Sequence, residues 1–111
     1  MSTSAQPVHL CITYSLREGV SLAEFKRWSL EIDQPAIKAL PGIRRYEICE
    51  VSDVEEGGDR PDIVEIVETD SEAAWAAVDE HPTMKDISRE FFDRICAEGT
   101  IRTYRIHRVG P

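Results

Sequence analysis

Two alternating apolar runs each lead into a helix-capping signal, and this repeat confines the chain to a small set of strand–helix architectures. The first run is VHLCITYSL, Val8 to Leu16. Leu10, Ile12 and Tyr14 fall on one side, and His9, Cys11, Thr13 and Ser15 on the other. Period-2 alternation of β-forming residues predicts a strand. After a turn at Arg17–Val20, Ser21 and Glu24 form a capping box, with the serine hydroxyl and the glutamate each placed to satisfy a free backbone N–H. Leu22, Phe25, Trp28 (or Ser29), Ile32, Ala36 and Ala39 then recur at three-to-four spacing, the apolar stripe of an amphipathic helix. Pro35 is expected to end or kink it, because proline has no N–H and crowds the preceding turn. Pro41-Gly42 closes the unit.

The second run, within Pro61–Thr69, has Val64 and Ile66 on one face and Ile63, Glu65 and Val67 on the other, which predicts a central strand. Thr69 with Glu72 is read as a second capping box before the alanine-rich helix Ala73–Val78. His81-Pro82 ends that helix, and Thr83 is expected to start another, with Met84, Ile87, Phe91 and Ile95 as its stripe and Gly99 as its stop. Between the two units lies a strand from Ile43 to Val51, cleanly apolar on neither side and so expected near an edge or lining something polar. It is followed by an exposed loop, Ser52–Arg60. A last strand is predicted over Thr100–Val109. The order β-α-β-β-α-β, with the second helix split, is the α+β ferredoxin-like arrangement around a four-stranded antiparallel sheet. Helices on one side leave the other sheet face to be covered, and a second copy is the natural cover. The expectation is one domain over residues 1–111, with residues 1–7 as a flexible N-terminal segment.

Charge narrows the choice of partners. Lys and Arg number 13 against 21 Asp and Glu, a net charge of −8. A chain with this balance lacks the cationic field that tracks a phosphate backbone or an anionic membrane. Neither nucleic acid nor membrane is expected as a partner. The segment MSTSAQP has no basic region and no apolar run, unlike a signal peptide. Cys11, Cys49 and Cys96 are odd in number and widely spaced, which speaks against a disulfide framework and points to a reducing, cytoplasmic setting.

The runs VHLCITY, SLAEFKRWSLEIDQPAIKALPGIRRYEI and DIVEIVETDSEAAWAAVDEHP resemble the dimeric α+β barrel superfamily, and within it the EthD-like proteins and the REDY-like HapK group found with prodigiosin biosynthesis genes. The resemblance runs from about Val8 to Val109. It implies a homodimer with sheets packed face to face, and a pocket between the helices and the concave side of each sheet. In cyclases of this fold a strand-one histidine and a histidine after the second helix take part in acid–base chemistry. His9 matches the first. In the stretch His81-Pro82-Thr83-Met84, the second position holds Met84, and the position of the assisting tyrosine holds Val78. Where many EthD-like proteins carry a histidine near the helix-one proline, this chain has Asp33 and Gln34, which removes a candidate base.

Three residues are candidates for catalysis. His9 can exchange a proton with an enol or phenol near neutral pH, or can be a half-buried histidine satisfied by a carbonyl. His81 can face a cavity, or can serve as a cap at a helix C-terminus. Glu65, inside an otherwise apolar strand, is read first as one half of an ion pair with Arg45, Arg102 or Arg105 and second as a general base. Trp28, Trp75, Met84 and Tyr46 are candidate walls of a ligand pocket, the tryptophans alternatively being core. Tyr14, a phenol at a pocket-capable strand position, reads first as packing and second as catalytic, and His107 as a surface or dimer-rim residue. No short-spaced His, Cys or carboxylate cluster and no phosphate loop is present, so neither metal nor cofactor is expected. These features predict a small cofactor-free pathway protein of secondary metabolism. It would act on an aromatic or polyketide-like intermediate by cyclase- or isomerase-like acid–base chemistry in a pocket between sheet and helices. The alternative is a non-catalytic small-molecule binding, accessory or chaperone protein of a biosynthetic or degradation pathway. The partner is expected to be a small hydrophobic or aromatic molecule, alongside a second copy of the chain.

Overall fold

A computed structural model describes residues 6–110. Most of the segment expected to be flexible, residues 1–5, lies outside them. Strand β1 spans Val8–Tyr14, β2 Ile43–Glu50, β3 Ile63–Thr69 and β4 Arg102–Arg105. The spatial order is β2-β3-β1-β4 and every pairing is antiparallel. Helices α1 (Leu22–Trp28) and α2 (Gln34–Lys38) connect β1 to β2, while α3 (Glu72–Glu80) and α4 (Pro82–Glu90) connect β3 to β4. This is the β-α-β-β-α-β ferredoxin-like topology with split helices.

The barrel expectation is corrected. The sheet is open: β2 and β4 are its two edges and pair with β3 and β1 only. Closure requires the edges to meet, which takes about eight tilted strands. The last strand is also shorter than expected, four residues in place of the predicted run to Val109. Its residues are exposed, so little apolar burial holds the segment beyond Arg105.

Ser21 accepts from the Glu24 N–H at 3.1 Å and the glutamate returns to the Ser21 backbone, completing the capping box. The second cap is Ser71, whose hydroxyl accepts from the Ala74 N–H at 3.1 Å. Thr69 is instead a fully buried strand residue paired with Ile43 and Val8. At the Pro41-Gly42 turn, Gly42 adopts φ +91°, and a Cβ there would stand 2.8 Å from that of Ala74. Glycine is required at this position both by the left-handed backbone and by the approach of α3.

A π-helical turn, Ser29–Asp33, joins α1 to α2. The Gln34 N–H reaches back five residues to the Ser29 carbonyl, a wider register that delays the turn by about one residue. The expected stripe is displaced as a result. Ile32 is 45% exposed, whereas Ser29 and Asp33 are each 2% exposed, and the inward face resumes at Ile37 and Leu40. Pro35 stands at the start of α2, where its missing N–H costs little. A second π-helical turn, Phe91–Ile95, extends α4.

The core lies between the helices and one sheet face. Val8, Leu10, Tyr46 and Val67 pack under Ile37, Leu40 and Val78, while Tyr14 and Ile63 pack under Phe25, Trp28 and Ile95. The other sheet face carries Cys11, Thr13, Val64 and Ile66, all half-buried. Among the described residues, no helix is long and apolar enough to cross a membrane.

Candidate functional site

A cavity of about 140 Å³ opens between the sheet and the helices. Its floor is formed by inward-facing strand residues, including Ile12, Tyr14, Tyr46, Glu65 and Val67, and its walls include Trp28, Trp75, Met84, Ile87 and Phe91. The indole of Trp28 and the ring of Phe91 are nearly parallel, with centroids 6.3 Å apart, and Tyr14 meets Phe91 edge-on at 4.7 Å. The Trp28 Nε1–H donates to Glu90 Oε1 at 2.8 Å, which fixes the indole plane.

Two carboxyl–phenol pairs occupy this apolar setting. Glu65, 8% exposed, sits opposite Ile12 and Ile48 in the neighbouring strands and accepts from the Tyr14 hydroxyl on Oε2. Asp33, brought inward by the π-helical turn, accepts from the Tyr46 hydroxyl on both oxygens, at 2.9 and 3.0 Å. Burial pushes the Glu65 carboxyl up to about 7; the Tyr14 bond opposes that shift and the nearby Asp33 adds to it. Burial likewise lifts Asp33 to about 6, against the pull of Tyr46. Both phenols are pushed far above the ordinary tyrosine range, by burial first and by the Glu65 charge next.

Among the described residues, the ion pair expected for Glu65 is absent. Arg45 bonds Glu47, Arg105 bonds Glu72, and Arg102 donates to the carbonyls of Gly99 and Ile101. Strand parity is the reason for Arg45: it shares a face with Glu68 and Glu47, away from the cavity.

Of the sequence candidates, Glu65, Trp28, Trp75, Met84 and Tyr46 line the cavity, and His9 and His81 do not. His9 alternates with the buried Val8 and Leu10, so it points from the outer sheet face, where Nε2 lies 3.3 Å from Glu68 Oε2. His81 bridges two helices. Its N–H donates to the Val78 carbonyl at 3.1 Å, and its Nδ1 accepts from the Thr83 N–H at 3.1 Å as the N-cap of α4. His81 thus caps the C-terminus of α3, as read from the sequence, and also the N-terminus of α4. Sequence reasoning took Asp33 as the loss of a candidate base and Tyr14 first as packing, and did not place Asp33 in the pocket. The available signal was Asp33 standing one residue off an apolar stripe. Among the described residues, no three His, Cys, Asp or Glu side chains gather into a metal-binding group.

The open four-stranded sheet, with helices on one face and a cavity beneath them, defines a ferredoxin-like α+β protein. Residues 8–109 match the REDY-like protein HapK family, and the chain belongs to that family. No curated protein matches the sequence. Among solved structures, HapK from Hahella chejuensis is 17% identical, with 93% of this chain and 96% of that one aligned at a TM-score of 0.68. An ethyl tert-butyl ether d (EthD) family protein from Bacillus halodurans is 12% identical over 94% and 100% of the two chains, TM-score 0.73. A dimeric ferredoxin-like protein of unknown function from Thermobifida fusca is 12% identical over 97% and 96%, TM-score 0.71.

Proposed function

We propose that this protein binds a small, largely apolar aromatic molecule between its sheet and helices and serves a biosynthetic or degradation pathway as an accessory or chaperone protein. One observation carries the reading: an aromatic-walled cavity of about 140 Å³ whose lining includes two hydrogen-bonded carboxyl–phenol pairs. Apolar cavities of about 150 Å³ hold a benzene-sized ring. The pathway setting rests on membership of the HapK family. The test is toluene binding. Toluene is expected to raise the melting temperature by mass action and to shift the Met84 and Ile87 methyl resonances. Met84→Trp, which fills the cavity, is expected to abolish both effects. A methyl spectrum unmoved by saturating toluene would refute the reading.

A second reading is acid–base chemistry of a cyclase or isomerase kind. It is favoured by two carboxyls raised to about 6 and about 7, values at which a group both accepts and returns protons near neutral pH. In this reading Glu65 takes a proton from an acidic C–H or phenol. Glu65→Gln is then expected to keep ligand affinity and to stop deuterium exchange into the ligand.

The same proposal includes a homodimer formed through the outer sheet face. It is supported by the half-buried Cys11, Thr13, Val64 and Ile66 there and by the dimeric Thermobifida fusca protein of like fold.

A further inference from the structure

Among the described residues, the ionisable groups that line the cavity include no cation. Tyr14, Asp33, Tyr46, Glu65, Asp79 and Ser88 present hydroxyl or carboxyl groups, and no Lys, Arg or His joins them among the described residues. Both phenol protons are already committed, Tyr14 to Glu65 and Tyr46 to Asp33. What the carboxyl pairs offer a ligand is acceptor capacity. Glu65 receives its hydrogen bond on Oε2. Its Oε1 has no donor among the described residues, although the side chain is more than nine-tenths buried and lines the cavity. A carboxylate oxygen carries two lone pairs, so each Asp33 oxygen also keeps one free beside Tyr46. The arginines expected beside Glu65 are engaged elsewhere: Arg105 pairs with Glu72 and Arg45 with Glu47.

Such a site penalises an anionic guest. A carboxylate or phosphate entering it would meet two buried acids and no compensating cation. A protonated nitrogen gains charge-assisted hydrogen bonds from the same acids. Space for one aromatic ring and a ring of acceptors point to the same ligand.

We propose that the cavity selects a small aromatic molecule bearing a protonated nitrogen, such as an amidinium, held against the free Oε1 of Glu65 with Asp33 as the second acceptor. The proposal rests on the reading of the cavity as a ligand site and adds the ligand's charge.

Benzamidine, benzamide and benzoate test it, since they share shape and differ in charge. Binding to the full chain at pH 8 is followed by the Met84 methyl resonance, which reports the cavity itself. Benzamidine is expected to bind roughly tenfold more tightly than benzamide, with no benzoate binding. Glu65→Gln should bring benzamidine to within about threefold of benzamide; Asp33→Asn serves if that variant does not fold. Benzoate binding as tightly as benzamidine would overturn the proposal and leave the cavity reading standing. The same holds if toluene binds and none of the three probes does. A cation preference that persists in both variants would also overturn it, by assigning the preference to the net charge of −8. If toluene fails as well, both readings fall.

Discussion

Tyr14 and Glu65 are diagonal neighbours on paired strands. Tyr14 stands opposite Ile63, and Glu65 two residues further along β3 stands opposite Ile12, so phenol and carboxyl meet on the inward face. Diagonal pairs lie within reach of an aromatic side chain. The result is an acid held under an apolar layer by a hydroxyl in place of a cation.

This arrangement sets a pH dependence of stability. Folded Glu65 and Asp33 have pKa values above those of the unfolded chain, so each favours folding when protonated. That contribution is complete below about pH 4 and is lost as pH rises through about 6 for Asp33 and about 7 for Glu65. Glu65→Gln removes the Glu65 share. Relative to wild type, the variant is expected to gain about 2–3 kcal/mol between pH 4.5 and pH 8. Urea unfolding at both pH values measures the gain, and a gap independent of pH would contradict it.

Tyr46→Phe deletes the one side-chain donor to Asp33 among the described residues. The bond lowers the Asp33 pKa, so its loss raises the midpoint above about 6. The unpaired buried acid should cost about 1–3 kcal/mol of stability at neutral pH. Carboxyl-carbon NMR titration follows the first effect and urea unfolding the second.

Gly42→Ala and Gly57→Ala both place a side chain at positive φ, +91° and +107°. The space around Gly57 is open, whereas at Gly42 the new Cβ stands 2.8 Å from Ala74 Cβ. Gly57→Ala is expected to cost about 1 kcal/mol, and Gly42→Ala at least about 1 kcal/mol more, since close-packed atoms must shift. Equal losses would show that α3 yields without cost.

Sedimentation of the wild-type chain is expected to give twice the 12.6 kDa chain mass. Ile66→Glu, on the outer face of β3, is expected to give the monomer with an unchanged circular dichroism spectrum, because a charge cannot be buried there unpaired. A wild-type monomer at micromolar concentration would end the dimer proposal.

The order of elements was legible in the chain because it depends on local signals. Alternation in Val8–Tyr14 and Ile63–Thr69, the Ser21–Glu24 capping box and the Pro41-Gly42 stop are each set by a few neighbouring residues. The stripe of α4 was legible for the same reason: Met84, Ile87 and Phe91 repeat at helical spacing and pack inward.

What tertiary structure decided lies where a local rule was overruled by packing or by parity across strands. The π-helical turn at Ser29–Asp33 moved Ile32 out and Asp33 in, a one-residue slip in register that helical spacing does not record. The strand register settled which face His9 and Glu65 take, sending the histidine outward to Glu68 and the glutamate inward to Tyr14. Sequence by itself determined the elements and their order, since hydrophobic period and capping act over a few residues. The cavity and its acids come from contacts between residues as far apart as Tyr14 and Glu65, and those exist only once the sheet has formed.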